Sequence, residues 1–154
     1  MSRSDDKRPL ASNRRARYDY HLLETFEAGI QLLGTEVKSA RQGRIQLKDS
    51  YVEVINGEAW LIGAHISPYS HGNFQNHPPV RNRRLLLHRR EIDKIYGRTT
   101  IQGLTCVPLS VYLKGNRIKL EIALARGKRQ YDKRQAEKKK EMDREAREAM
   151  SRVG

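Results

Sequence analysis

The chain has 154 residues, 37% of them hydrophobic and 32% charged, and a formal net charge of +13 from 31 Lys/Arg against 18 Asp/Glu. That length allows one ordinary domain with one compact core. A single cysteine excludes an internal disulfide, no stretch approaches the roughly 20 apolar residues of a membrane span, and the N-terminus lacks the apolar run of a secretory signal. The expected compartment is the cytoplasm.

The positive surplus is concentrated at the two ends. Residues 1–17 carry six Lys/Arg against two Asp/Glu, residues 18–125 fourteen against ten, and residues 126–154 eleven against six. Basic ends on a small domain are the electrostatic footprint of a polyanion binder, because each cation that neutralises a phosphate releases condensed counterions. Nucleic acid is therefore the expected partner. A membrane surface is not, since the tail offers only Met, Ala and one Tyr where a surface helix carries bulky Leu, Phe or Trp. Composition thus divides the chain into a basic N-terminal arm (1–17), a β-rich body (18–125), expected to be the RNA-binding part, and a charged tail (126–154).

Along the chain, residues 20–26 read as a strand and residues 29–34 as the next, with glycines marking bends. Residues 35–41 resemble a short helix capped by Thr35 and closed by Gly43. Asn56-Gly57 between two β-favouring runs predicts a hairpin over 51–62, its second strand running on through Ile66 until Pro68. Residues 67–82 read as a long irregular loop. From 83 to 96 the apolar positions Leu86, Ile92 and Ile95 suit a helix ended by Gly97. A second hairpin is expected over 107–125, turning at Lys114-Gly115-Asn116. Its return strand puts Ile118, Leu120, Ile122 and Leu124 on a core face, and Lys119, Glu121, Ala123 and Ala125 on a face toward solvent or ligand.

These short strands and connections predict a mainly β fold, a small antiparallel β barrel with two or three short helices. The tail has too few non-polar side chains to offset its ordering entropy. From Ala136 to Met150 it is rich in helix formers, but the like-charge pairs Glu137/Glu141 and Lys140/Arg144 make an isolated helix marginal. It is expected to be disordered when free and to become helical against RNA.

The sequence offers no catalytic constellation. His65, His71, His77 and His88 lack the ligand density of a zinc site and read as loop histidines plus one on a helix surface. Cys106 stands where a small buried hydrophobe would serve, and Ser67, Ser70 and Ser110 have no nucleophile motif around them. Neither a cofactor, a metal nor an enzyme activity is expected. Two clusters mix cations with aromatics, as nucleic-acid grooves do. One is Arg14, Arg15 and Arg17 with Tyr18 and Tyr20; the other sets Tyr131 among Lys128, Arg129, Lys133 and Arg134.

Several motifs together carry a resemblance. Residues 13–20 (Asn-Arg-Arg-Ala-Arg-Tyr-Asp-Tyr), 26–29 (Phe-Glu-Ala-Gly), 34–39 (Gly-Thr-Glu-Val-Lys-Ser), 49–51 (Asp-Ser-Tyr), 84–87 (Arg-Leu-Leu-Leu), Tyr96-Gly97 and 127–134 follow one another in that order. The sequence resembles the SsrA-binding protein family, small protein B (SmpB), from about Asn13 to Met150. The resemblance implies an oligonucleotide-binding-like barrel that binds the tRNA-like domain of transfer-messenger RNA (tmRNA). It also implies delivery of that RNA, with elongation factor Tu, to ribosomes stalled on messages lacking a stop codon, where the tail enters the empty messenger channel and reaches the decoding centre.

By the same resemblance the RNA-binding face comprises Asn13, Arg14, Arg15, Arg17, Tyr20, Glu27, Lys38, Arg84, Leu85, Leu86 and Leu87. The ribosome-binding tail comprises Gly127, Lys128, Arg129, Tyr131, Asp132, Lys133, Arg134, Met142 and Met150, Tyr131 standing where histidine is also common. A carboxylate such as Glu27, facing RNA, accepts hydrogen bonds only from base N–H groups or ribose hydroxyls, and so supplies selectivity rather than attraction. The rival readings are a ribosomal protein or translation factor on a similar barrel, and an RNA-processing enzyme.

Overall fold

The structure is a computed structural model and describes residues 7–69, 76–128 and 138–147. Its elements in chain order are β1 (Lys7–Ser12), α1 (Arg14–Asp19), β2 (Tyr20–Ile30), α2 (Gly34–Arg41), β3 (Ile45–Gln46), β4 (Tyr51–Ile55), β5 (Glu58–Ile62), β6 (His65–Ile66), β7 (Arg83–Leu86), α3 (Arg89–Thr100), β8 (Thr105–Lys114) and β9 (Arg117–Gly127). Residues 138–147, in the tail expected to be disordered when free, form a helix in the free chain, exposed throughout.

Both expected hairpins form. At the first, Asn56 (φ 50°) and Gly57 (φ 77°) supply the two left-handed residues of a tight turn, and β4 and β5 pair from Tyr51↔Ile62 to Ile55↔Glu58. The second joins β8 to β9 from Thr105↔Ala125 to Lys114↔Arg117. The seven strands run in the order β1-β8-β4-β5-β7-β2-β9, all neighbours antiparallel, and β9 returns to β8, which closes six strands into a barrel with β1 outside as an added edge. Closure leaves few free edges, and it confirms the small antiparallel β barrel with short helices. β3 and β6 pair separately.

The core lies inside this ring. Leu61, Ile66, Leu85, Ile95, Leu120, Ile122 and Leu124 are at most 1% exposed, each contributing about 1.5–3 kcal/mol by leaving water. Cys106 is buried among them, and burial pushes its thiol up to about 12, so it is an inert apolar filler. A second cluster forms on the outside, where α1 lays Ala16 over Val107, Leu109, Ala123 and Ala125, with Tyr20 and Leu22 packed alongside. The outer face of β9 is therefore divided: Ala123 and Ala125 sit under α1, while Glu121, Lys119 and the exposed Arg117 remain for solvent or ligand.

Several expectations need correction. Residues 7–12, placed in the arm, form strand β1 along β8. The two strands expected over 20–34 are one eleven-residue strand, β2, with a bulge between Leu22 and Glu24. Helix α2 is not capped by Thr35; Glu36 Oε1 instead accepts the Leu33 N–H at 2.8 Å, while Thr35 Oγ1 bonds His77 Nδ1 at 2.8 Å. The strand expected to continue to Ile66 ends at Ile62, and β6 leaves to join β3. His77 lies in the loop as expected but is buried rather than solvated, with Nε2 donating to the Ile66 carbonyl at 3.0 Å and Nδ1 accepting from Thr35.

The region 83–96 is not one helix. Residues 83–86 form a strand whose inward positions are Arg83 and Leu85, so a buried arginine hides the alternation that would have announced it. Helix α3 begins after His88, whose N–H is accepted by Glu91 at 3.0 Å, and passes through Gly97, whose carbonyl takes the Ile101 N–H at 2.9 Å.

Arg83 is fully buried, as is the Glu36 it meets at 2.7 Å. Arg81 adds two bonds to the same carboxylate, at 2.5 and 3.0 Å, while the Arg83 guanidinium also donates to the carbonyls of Ala64, Pro79 and Arg81. Burial alone would raise the Glu36 carboxyl; the bonds from Arg81, the Leu33 amide and Arg83 outweigh it and hold it below its ordinary value. This ionic clamp ties α2 to the start of β7.

Candidate nucleic-acid interface

The residue expected to open the RNA face, Asn13, works inside the protein. It precedes α1, and its Oδ1 accepts the Ala16 N–H at 3.3 Å, which caps the helix. Its Nδ2 donates to the Pro108 carbonyl at 2.9 Å, and its backbone N–H to Leu109 at 2.7 Å, where β8 bulges between Pro108 and Ser110. Asn13 thus fastens α1 to the carbonyls of Pro108 and Leu109 at the bulge. Replacing Asn13 with alanine is expected to cost about 1–2 kcal/mol, read as a lower denaturation midpoint in urea with the slope unchanged.

Helix α1 then displays its cations. Arg14, Arg15 and Arg17 are exposed, and Arg15 is braced by Asp19 at 3.1 Å and lies 5.4 Å from the Tyr18 ring centroid. Tyr20 is half-buried against the outer cluster. Beside it a cleft of about 330 Å³ runs between α1 and the start of β4, lined by Arg15, Asp19, Tyr20, Asp49 and Tyr51 among others. Gly127 pairs with Tyr20, and Lys128 donates its backbone N–H to Asp19 at 2.8 Å and its Nζ to the Arg17 carbonyl at 3.3 Å. Residues 126–128, placed in the tail from composition, thus complete β9 and end against α1 as part of the body.

A second group assembles farther along β2. Gly29 is opposite Leu86, and a Cβ built on Gly29 would stand 3.2 Å from the Leu86 Cβ; the missing side chain makes room for that leucine. Glu27 is two residues away on the same face of β2, so Glu27 and Leu86 are diagonal neighbours on the barrel exterior. Leu86 is 50% exposed. Within the 84–87 stretch the strand alternates: Arg84 reaches Glu58 at 3.4 Å, Leu85 is sealed in the core at 1% exposure, and Leu87 is half-buried. Leu85 has no surface to offer a ligand, and its expected place on the RNA face gives way to a packing role.

Lys38 is exposed on α2 with its ammonium 5.4 Å from the Tyr69 ring. In the tail, Met142 is 59% exposed on the 138–147 helix, while Arg129, Tyr131, Asp132, Lys133, Arg134 and Met150 lie outside the described residues. Three features of the face escaped the sequence reading: Tyr112, Lys114 and Lys7 all converge on Glu27. Tyr112 lies in a strand of apolar neighbours and reads as core; only the register of β8 against β9 brings it beside Glu27.

Comparison with known proteins bears on this arrangement. A family profile described as SmpB protein matches residues 10–152. An SsrA-binding protein of Clostridium botulinum (strain Hall) is 55% identical over 152 residues, covering 96% of this chain and 97% of its own, and one of Carboxydothermus hydrogenoformans is 53% identical over 141 residues, covering 92% and 95%. Among solved structures, a chain described under "tmRNA-SmpB: a journey to the center of the bacterial ribosome" shares 44% identity and a TM-score of 0.66, covering 82% of this chain and 92% of its own. With the profile spanning nearly the whole sequence and relatives above half identity from end to end, this chain belongs to the SmpB family.

Proposed function

We propose that the protein binds tmRNA and acts with it on the ribosome in trans-translation, the body gripping the tRNA-like domain and the tail reaching the decoding centre through the empty messenger channel. The observation that carries this reading is the end-to-end identity with SsrA-binding proteins, joined to a barrel whose exterior gathers Arg14, Arg15, Arg17, Tyr20, Glu27 and Leu86. The cations supply attraction to phosphate; Glu27 supplies selectivity, because it accepts from bases and riboses but repels phosphate. Asn13 contributes by holding α1, and Lys38, Arg84 and Leu87 extend the face.

The proposed setting is the cytoplasm, and among the described residues no helix is long and apolar enough to cross a membrane. Elongation factor Tu meets the protein through the RNA. No catalytic role is assigned.

Pull-down of the tagged protein from cells and sequencing of the retained RNA tests the reading: tmRNA should dominate. A protein that instead stays on ribosomes through a high-salt wash, without that RNA, is a ribosomal protein or translation factor. Affinity for tmRNA should fall with salt, with a log–log slope of about −0.7 to −0.9 per phosphate contacted. A flat salt response would remove the basic helix from the interface.

A further inference from the structure

The Glu27 carboxylate stands on the outside of the barrel, yet its orientation is imposed. Tyr112 Oη donates to Oε2 at 2.5 Å, Lys114 Nζ donates to Oε1 at 3.1 Å, and Lys7 Nζ is 4.0 Å from Oε2. Three strands deliver these groups. Glu27 on β2 is opposite Glu121 on β9, Lys119 on β9 is opposite Tyr112 on β8, and Lys7 on β1 is opposite Lys114. Lys7 also lies 4.9 Å from the centroid of the Tyr112 ring.

The donors differ in kind. The lysine side chains are 52% and 31% exposed and ride on long flexible stems, so they neutralise charge without fixing geometry. Tyr112 is 5% exposed, and its packed ring holds the hydroxyl in one place. The bond from Tyr112, then the bond from Lys114 and the charges of Lys114 and Lys7, outweigh burial and hold the Glu27 carboxyl below its ordinary value, while burial and Glu27 itself raise the phenol. At neutral pH the arrangement is a phenol donating to a carboxylate.

An ionised carboxylate has about four acceptor positions, and Tyr112 and Lys114 use two. The remainder are open to donors on a ligand. The geometry points to Tyr112 as the positioning residue of the RNA face: its hydroxyl fixes Glu27 so that the free acceptor positions meet a base N–H or a ribose hydroxyl rather than turning with solvent. Fold stability does not demand this bond, because β8, β9 and β2 are already held by continuous ladders. The inference rests on Glu27 touching the RNA, as proposed above.

The test is a two-by-two comparison of the full chain: parent, Glu27→Gln, Tyr112→Phe and the double variant, each titrated against tmRNA at several salt concentrations and each melted thermally. Phenylalanine keeps the ring and its packing, so the melting temperature should move by no more than a few degrees. Tyr112→Phe is expected to weaken binding about tenfold, the equivalent of one charge-assisted hydrogen bond, with the salt slope unchanged because no phosphate contact is lost. In the Glu27→Gln background the same change should add nothing. Unaltered affinity of Glu27→Gln overturns both this inference and the RNA contact of Glu27. A weakened Glu27→Gln beside an unaltered Tyr112→Phe, or losses that simply add in the double variant, overturns the role of Tyr112 alone.

Discussion

Replacing Glu36 with glutamine is expected to destabilise the protein by about 3–5 kcal/mol, a shift of roughly 10 °C in melting temperature for a chain of this size. The change removes a charge without removing volume, so the cost is that of a guanidinium left in the interior. Arg83 is 0% exposed, and its other partners are neutral carbonyls of Ala64, Pro79 and Arg81. Arg81→Gln should cost less, because the Arg81 side chain is 29% exposed and water can replace what it gives.

The effect carries its own pH signature. The folded-state value of Glu36 lies below its ordinary 4.5. Its contribution is therefore fully present above that pH and is lost as pH falls through the lower folded value. The gap between parent and Glu36→Gln should be constant through neutrality and close in acid. A variant melting within two or three degrees of the parent at pH 7, or a gap that widens in acid, would show that the buried charge is compensated by something other than Glu36.

A chain stopped after Lys128 is expected to keep its grip on tmRNA and to lose peptide tagging on stalled ribosomes. The body is complete at that point: β9 ends at Gly127, and Lys128 makes its two bonds to α1. The arginines of α1 remain in the truncated chain, so loss of the tail's cations should lower RNA affinity by less than about tenfold at 0.15 M salt. On the described part of the tail, the helix 138–147 buries no side chain against the barrel. Tagging is measured by tag incorporation into a reporter lacking a stop codon, with RNA binding measured in parallel. A truncated chain that still tags refutes the division of labour between body and tail.

The barrel was legible because turn chemistry and alternation agree at its two hairpins. Asn56-Gly57 admits left-handed backbone at both positions, and Ile118, Leu120, Ile122 and Leu124 alternate without interruption. Legibility failed where a polar residue occupies an inward position. Arg83 faces the core but reads as surface, so β7 merged into a false helix; its counter-ion Glu36 reads as an ordinary first-turn acid. Residues 7–12 looked like a solvated leader because an edge strand needs only one apolar face, and Leu10 and Ala11 are too few to show it. At the interface, α1 and its arginines were visible as a basic and aromatic run. The surroundings of Glu27 were not, since Lys7, Tyr112 and Lys114 are remote in sequence and meet it only through strand register.

The attachment of Lys128 to the C-terminal end of α1 has a mechanical corollary. The helix bearing the arginines and the root of the extension are parts of one stiff piece, with no pivot between them. A load placed on that helix is therefore carried directly to the backbone of Lys128, where the barrel's last strand has just ended.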